Sequence, residues 1–323
     1  PEVVRIVLSG QAEQESIVRA TRTAHQYLSK PCDAPALKTA ISRTQELKRT
    51  LSNEHLVAVV GSVDALPSPP KAYQELLACL RDPSAKTNAI VDIIRRDVGM
   101  TAKVVKLANS GFFGIRNPVQ TVERAVGLVG LDAISTLVLG QQLFNSQSPV
   151  SVPGFSIERL GRHSFEVAAW ARAIAQSEGF SNPLADAAFL AGVLHDVGRL
   201  VFATRQCPSD PSSRDTWLRE IGSQMELHHA AVGGYLLGLW GFTDAIVEAI
   251  VWHHTPSRCG EGSLGLSGLV HIGDLLAHQG DPADGTETER LPETGYLEGL
   301  ELQDHWPAWE RLRVRSQPEE ADA

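Results

Sequence analysis

The chain has 323 residues, of which 43% are hydrophobic and 21% charged, a balance that is typical of folded proteins, excludes disorder throughout and leaves room for two domains. The formal net charge of −9, without any block of Lys or Arg, argues against nucleic acid or an anionic membrane as the main partner, because neutralising phosphates requires a dense basic face. The four scattered cysteines form no C-x-x-C pair and no apolar stretch approaches the roughly 18–20 residues that span a bilayer, which together predict a cytoplasmic protein with reduced thiols.

The first fifty residues predict part of an α/β domain. Residues 3–8 form a short β-branched run that predicts a buried strand, residues 13–24 have a helical pattern, and residues 25–29 predict a second strand. A strand, a helix and a strand joined by short turns predict a parallel pair with a crossover helix. Because the chain opens at Pro1 rather than at Met, we expect it to be a cut through a longer chain.

A long helical pattern follows and leads to the predicted domain boundary. Between residues 34 and 60, apolar residues recur three or four apart. This apolar stripe is compatible with a rigid connector and with a dimerising coiled coil, so the sequence does not decide whether the chain forms a homodimer. Pro67, Pro69 and Pro70 must stop the helix because proline has no amide donor, and we place the connector at 34–65 and the boundary after it.

Beyond residue 66 the pattern predicts helices separated by Gly, Pro and Asn, with no alternating strand. The predicted helices span 70–81, 86–96, 100–109, 119–129, 131–144, 157–178, 183–205, 226–239, 243–253 and 265–278. In the first few of these helices, apolar stripes predict a packed core. Asp97 and Asn109 are expected to be structural hydrogen-bonding residues. Residues 281–323 are polar and acidic and predict a partly disordered tail, with one short helix near 306–314.

Three polar residues near the N-terminus lie in or at the ends of the two predicted strands, in an arrangement seen in a known family. Ser9 ends the first predicted strand, Tyr27 lies in the second, and Lys30-Pro31 closes it. This arrangement resembles the second half of a response-regulator receiver, over about residues 1–50. The resemblance implies that Ser9 is the switch hydroxyl, Tyr27 the aromatic that repacks and Lys30 the phosphate contact, with the phosphoacceptor Asp upstream and a sensor histidine kinase as partner. The plainer alternative is that Ser9 caps a helix and Lys30 is a solvated charge.

Several separated motifs follow in a fixed order after the boundary. They are Leu66-Pro67-Ser68-Pro69-Pro70, Arg96-Asp97 with 102–110, Phe112-Phe113-Gly114, 125–131, 191–199 and 235–241. As an ordered set they resemble the HDOD domain, a relative of the HD phosphohydrolases, over residues 66–280. The fold class implied is mainly α: an all-helical HDOD bundle preceded by a partial α/β receiver fragment.

The same resemblance implies a metal site. A first set matches the residues that bind a divalent metal in HD phosphohydrolases: His163, His195, Asp196 and Asp274. A second set matches positions that hold a second metal in two-metal members: His229, His253 and His254. Such a metal lowers the pKa of a bound water and polarises a phosphoryl oxygen. Imidazole and carboxylate suit iron, manganese, nickel or zinc, and the sequence does not choose among them.

Three departures from the hydrolysing pattern favour a signalling role. Arg199 stands where hydrolysing relatives usually have lysine, although it remains a candidate phosphate contact, and Ala231 stands where many HDOD sequences have glutamate. The pair His253-His254 runs into Thr255-Pro256 without a Gly-Tyr-Pro loop. We therefore predict a non-enzymatic output that contacts a downstream signalling protein. The alternatives are a metal-dependent phosphohydrolase acting on a nucleotide or cyclic dinucleotide, and a metal- or nucleotide-binding sensor without turnover.

Overall fold

The computed structural model describes residues 6–9, 26–29, 38, 60, 75–76, 78–80, 82, 84–109, 118–131, 134, 155–203, 210–240, 242–260, 262–279 and 295–312. Helices dominate these ranges, and the predicted mainly α class is confirmed. The predicted crossover helix at 13–24 lies outside the described residues, as do nearly all of the connector at 34–65 and most of the predicted helix at 131–144. Within the described ranges, no helix combines the length and the apolar character that crossing a bilayer requires.

Two short strands near the N-terminus pair in parallel, as predicted. Strand β1 spans Ile6–Ser9 and strand β2 spans Gln26–Ser29, with the two strands aligned residue for residue. Ser9 is therefore the last residue of β1, and Tyr27 lies within β2. Lys30, the predicted phosphate contact, lies outside the described residues.

The described residues of the first part of the helical domain include three helices with defined bounds. They are α1 (Thr87–Arg95), α2 (Val98–Ala108) and α3 (Val122–Val129). The predicted apolar stripes are buried, and α2 is buried along its whole length. Asp97 starts α2 by accepting a hydrogen bond from an amide of its first turn at 2.7 Å, and Asn109 ends α2 while its side chain binds the backbone of the segment that follows. Both residues are structural, as expected.

Six further helices lie in the described part of the domain. They are α4 (Ile157–Ser177), α5 (Asn182–Leu194), α6 (Val197–Ala203), α7 (Pro211–Leu239), α8 (Asp244–Trp252) and α9 (Leu266–Gln279). Helix α4 packs against both α5 and α9, α6 packs on α7, and α8 lies against α7 and α9. The prediction of helices without strands after residue 66 is confirmed for the described residues.

Two predicted helix boundaries were wrong. The single helix expected at 183–205 is divided into α5 and α6, because the His195 ring binds the Gly192 carbonyl at 2.8 Å and so competes for an acceptor that a continuing helix would use. Helix α7 begins at Pro211 rather than at residue 226. Its start is set by Asp210, whose carboxylate accepts from a first-turn amide at 3.0 Å, with proline in the first turn.

Two glycines allow α4 to approach its neighbours closely. A Cβ added at Gly192 on α5 would lie 2.5 Å from the Ala168 Cα, and one added at Gly273 on α9 would lie 2.9 Å from the Val167 carbonyl oxygen. Neither contact leaves room for a methyl group, because in both cases the obstacle is backbone. Glycine at these positions therefore brings α5 and α9 against the same stretch of α4.

Residues 295–312 pack on the helical domain. This segment contains α10 (Tyr296–Gly299), a 3₁₀ turn and α11 (Trp306–Glu310), the last of which confirms the short helix predicted near 306–314. Trp309 is buried and its indole N–H donates to Glu178 at the end of α4 at 2.8 Å, next to His305, which contacts the same carboxylate. Part of the segment predicted as a tail thus joins the core, because its few aromatic side chains outweigh the acidic composition around them.

Candidate metal centre

The structure brings all seven predicted ligand residues into one buried group, which we call the His/Asp cluster. Its members are His163 on α4, His195 and Asp196 between α5 and α6, His229 on α7, His253 and His254 at the end of α8, and Asp274 on α9. Because almost every member comes from a different helix, the cluster is a product of tertiary packing rather than of local sequence.

The first part of the cluster joins α4, α5 and α9. The His163 Nε2 atom lies 3.0 Å from Asp274 Oδ1, and the His195 Nε2 atom lies 3.8 Å from the same oxygen. Potential ligand atoms of these three residues all lie within 4.8 Å of one another, a spacing that suits shared coordination of one ion.

Asp196 connects this part to the second. Its Oδ2 lies 3.7 Å from His195 Nε2, and its Oδ1 lies 3.1 Å from His229 Nε2. His229 in turn lies 2.8 Å from His254, measured between the two Nε2 atoms, and the His253 and His254 ring centroids are 3.8 Å apart. The second set of predicted ligands therefore forms a three-imidazole group beside the dyad.

Backbone hydrogen bonds orient three of these rings. The Nδ1 atoms of His195, His229 and His253 lie 2.7–2.8 Å from carbonyl oxygens one turn earlier in the chain. A carbonyl can only accept, so each Nδ1 carries a proton and the Nε2 atom of each ring faces the cluster. The Nε2 atom of His253 is buried without a hydrogen-bond partner among the described residues.

This arrangement fits a cation. The His229 Nε2 and Asp196 Oδ1 atoms lie 3.1 Å apart, and such a pair is stabilised by a proton or a metal ion between them. The unpartnered Nε2 of His253 points to the same need, since a buried polar atom without a partner is costly. Imidazole nitrogens and carboxylate oxygens are the usual donors to divalent transition metals.

The electrostatics favour the protonation states that bind metal. Burial lowers the pKa of His195 and, reinforced by neighbouring imidazoles, lowers that of His253 well below its ordinary value. Burial alone would raise the pKa of Asp196, but Arg199 and the adjacent histidines outweigh it and hold that pKa well below the ordinary range. The pKa of Asp274 is likewise held well below its ordinary value, against its burial, by hydrogen bonds from two histidines. At neutral pH the two carboxylates are ionised while these two imidazoles are neutral.

One edge of the cluster reaches solvent. His195, Asp196 and Asp274 are at most 5% exposed, whereas the His163 side chain is 21% exposed. Beside it lies His278, 22% exposed, whose Nδ1 is 3.1 Å from Asp274 Oδ1 and whose ring is 4.5 Å from that of His163 between centroids. The sequence prediction missed His278. Its position one helical turn after Asp274 was the available signal.

Arg199 lies against the cluster, and the other predicted residues are not members of it. The Arg199 Nε atom is 2.7 Å from Asp196 Oδ2, so this side chain faces a carboxylate of the cluster, and a phosphate contact through it stays a prediction. Ala231 is partly buried on α7 and, having no oxygen in its side chain, adds no ligand. Ser9 and Tyr27 belong to β1 and β2, and their switch roles stay predictions.

The chain resembles known proteins in its sequence and in its fold. The sequence profile of the HDOD domain matches residues 66–256, more than half of the chain. An uncharacterized protein of Treponema pallidum (strain Nichols) is 23% identical over 239 residues, which are 69% of this chain, and the chain spans 44% of that relative.

Two crystal structures of the MmoQ response regulator from Methylococcus capsulatus (strain Bath) share the fold. The first has a TM-score of 0.56 at 19% sequence identity, and the matched region covers 78% of this chain and 100% of the MmoQ chain. The second is a structure of the fragment 20–298. It has a TM-score of 0.53 at 21% sequence identity, and the matched region covers 78% of this chain and 93% of the MmoQ fragment.

Proposed function

The chain belongs to the HDOD domain family, and we propose that it is a signal-transduction protein whose HDOD domain holds a divalent metal and acts as a protein-interaction output. The observation that carries the metal assignment is the convergence of the Nε2 atoms of His195, His229 and His253 on two ionised carboxylates. Such a group of acceptors is stabilised by a cation, because uncompensated charges buried together are costly.

The residues that would hold the metal divide into two positions. The first would use His163, His195, Asp196 and Asp274, and the second would use His229, His253 and His254, with Asp196 between them. Iron, manganese, nickel and zinc all accept such nitrogen and oxygen donors. A bound divalent metal would lower the pKa of a coordinated water and polarise a phosphoryl oxygen.

Two observations support signalling rather than turnover as the main role. The Asp196 carboxylate, central to the cluster, is engaged by Arg199, and most of the cluster is closed to solvent. We propose that the parallel β1–β2 pair is the end of a receiver, which the fold likeness to the MmoQ response regulator supports.

In this proposal a sensor histidine kinase phosphorylates the complete receiver, and the HDOD domain responds to the signal. Phosphorylation would shift the population between two arrangements of the HDOD surface, one of which contacts a downstream signalling protein. The metal would hold the helices of the second half of the domain together in the arrangement that the partner recognises.

A metal-dependent phosphohydrolase is the second candidate function. The partly exposed edge at His163 and His278 favours it, because a phosphoester could reach the first metal position from that side. Arg199 and Ala231 count against hydrolysis, because hydrolysing relatives usually have lysine at the first position and many HDOD sequences have glutamate at the second. A nucleotide or a cyclic dinucleotide would be the substrate class.

Metal analysis tests the proposed function. The purified chain should contain bound transition metal, and His229→Ala should weaken metal binding by about 100-fold or more, since it removes a ligand and not merely an outer-shell partner. His228→Ala is the matched control, because His228 is the neighbouring, half-buried histidine outside the cluster. A wild-type chain that binds none of the four metals in a calorimetric titration contradicts the proposal. Hydrolysis of cyclic dinucleotides that is lost in Asp196→Ala would favour the second candidate.

A further inference from the structure

A permanent positive charge lies against the central carboxylate of the cluster. Arg199 is on α6, one turn after Asp196, and its Nε atom is 2.7 Å from Asp196 Oδ2. The Arg199 side chain is only 14% exposed, so water screens this contact weakly. A guanidinium group stays protonated throughout the physiological range.

The two oxygens of Asp196 therefore have different neighbours. Oδ1 lies beside His229 Nε2 at 3.1 Å, while Oδ2 lies beside Arg199. Asp196 lies in the turn between α5 and α6, where the His195 ring binds the Gly192 carbonyl. Arg199 adds a permanent positive charge beside Oδ2.

We infer that Arg199 is an internal counter-ion which competes with a divalent metal for the Asp196 carboxylate. The inference rests on the proposed metal site. Two like charges repel strongly in a buried site of low polarity, so a metal approaching Asp196 must overcome the guanidinium already there. In the absence of metal, the same guanidinium compensates a carboxylate that would otherwise be buried without a cation. The cluster consequently holds together in the metal-free chain, and its metal affinity is reduced.

An opposite effect is expected if Arg199 merely orients a ligand. Outer-shell partners of metal ligands usually strengthen metal binding, and their removal costs about 10–100-fold in affinity. A competing counter-ion has the reverse sign, because its removal exposes the full charge of Asp196 to the metal. The direction of the change in affinity therefore separates the two roles.

The experiment compares metal-stripped wild-type chain with Arg199→Gln and Arg199→Lys. Titration with Mn²⁺ and Zn²⁺ by calorimetry should show binding about tenfold tighter in Arg199→Gln, on the scale of other changes next to metal ligands. Arg199→Lys keeps the charge but has no Nε–H at the contact, and should fall between the two. The control is Arg162→Gln, at an exposed position on α4, which should bind as the wild type does. Thermal melting without metal should show Arg199→Gln to be less stable, with added metal restoring the loss.

Each outcome is decisive. If the wild type binds metal and Arg199→Gln binds equally or more weakly, the counter-ion role is overturned while the metal site stands. If only Arg199→Gln binds, the counter-ion role is supported and the proposed metal in the natural chain is overturned. Binding by neither protein overturns both. Should Arg199→Gln not fold, Arg199→Lys decides: tighter binding supports the inference, and unchanged or weaker binding refutes it.

Discussion

The two halves of the helical domain bury polar side chains for different purposes. In the first half, from α1 to α3, two buried polar side chains bind nearby backbone: Asp97 accepts from an amide of α2 at 2.7 Å, and the Thr101 hydroxyl donates to the Ile94 carbonyl at 2.8 Å. These contacts end one helix and start the next. They give these two side chains a structural role within a few residues of the chain.

The second half, from α4 to α9, buries polar groups that face one another across helices. His195 and His253 use Nδ1 on the backbone but direct Nε2 to other side chains, and Asp196 and Asp274 each contact residues from two or more helices. Burial against the backbone stabilises a fold, whereas polar groups that converge from distant segments at a cost to stability indicate a binding site.

The largest stability effect that separates the halves is expected at a glycine. Gly192→Ala should destabilise the protein by about 3 kcal/mol, because the new methyl group meets the Ala168 backbone and forces α4 and α5 apart. Gly127→Ala is the control in the first half: its Cβ would meet nothing within 4 Å on the exposed face of α3. It should stabilise the protein by about 0.5–1 kcal/mol, as alanine does in a helix. Urea unfolding measures both, and equal effects would contradict the close packing of α4.

The metal-free cluster should also make stability depend on pH. The pKa values of His195 and His253 are lowered by burial, so below about pH 6.5 the unfolded chain takes up protons that the folded chain does not. Stability should therefore fall by about 2 kcal/mol between pH 7.5 and 5.5. The two aspartates, whose pKa values are also lowered, act in the same direction but only below about pH 4.

Urea unfolding of metal-stripped protein at the two pH values measures this dependence. His253→Gln should remove about half of it, since one of the two buried imidazoles no longer titrates. A wild-type chain whose free energy of unfolding is unchanged between the two pH values would contradict the burial of neutral histidines.

The smallest expected effect lies in the first half. Asp97→Ala removes the hydrogen bond that starts α2 and should cost about 1–2 kcal/mol in the free energy of unfolding. It should leave metal binding unchanged, because Asp97 caps α2 and is not a member of the His/Asp cluster. A loss of metal affinity in this variant, measured by calorimetry on folded protein, would show that the two halves are not separable in the way described.

Sequence patterns were sufficient for the described helices of the first half, and family resemblance supplied the seven predicted residues of the cluster. The apolar spacing in α1 and α2 predicts their buried faces, and the capping role of Asp97 follows from its position. The set from His163 to Asp274 came from resemblance to HD phosphohydrolases, since no local pattern links residues from so many helices.

The rest depended on tertiary packing. A continuous apolar pattern hides the break between α5 and α6, which is made by a ring–carbonyl contact of His195. His278 was overlooked because its contact with Asp274 is one of many spacings that a helix allows. The pairing of Arg199 with Asp196 depends on rotamers that the sequence does not specify, so the sequence did not predict this contact.

Anomalous diffraction from crystals of the full chain grown with Mn²⁺ tests the central claim most directly. We predict a peak at the manganese edge inside the His/Asp cluster, within bonding distance of His163, His195 or Asp274. Crystals that show these side chains in place but no anomalous peak among them, at metal concentrations well above the calorimetric dissociation constant, would contradict it.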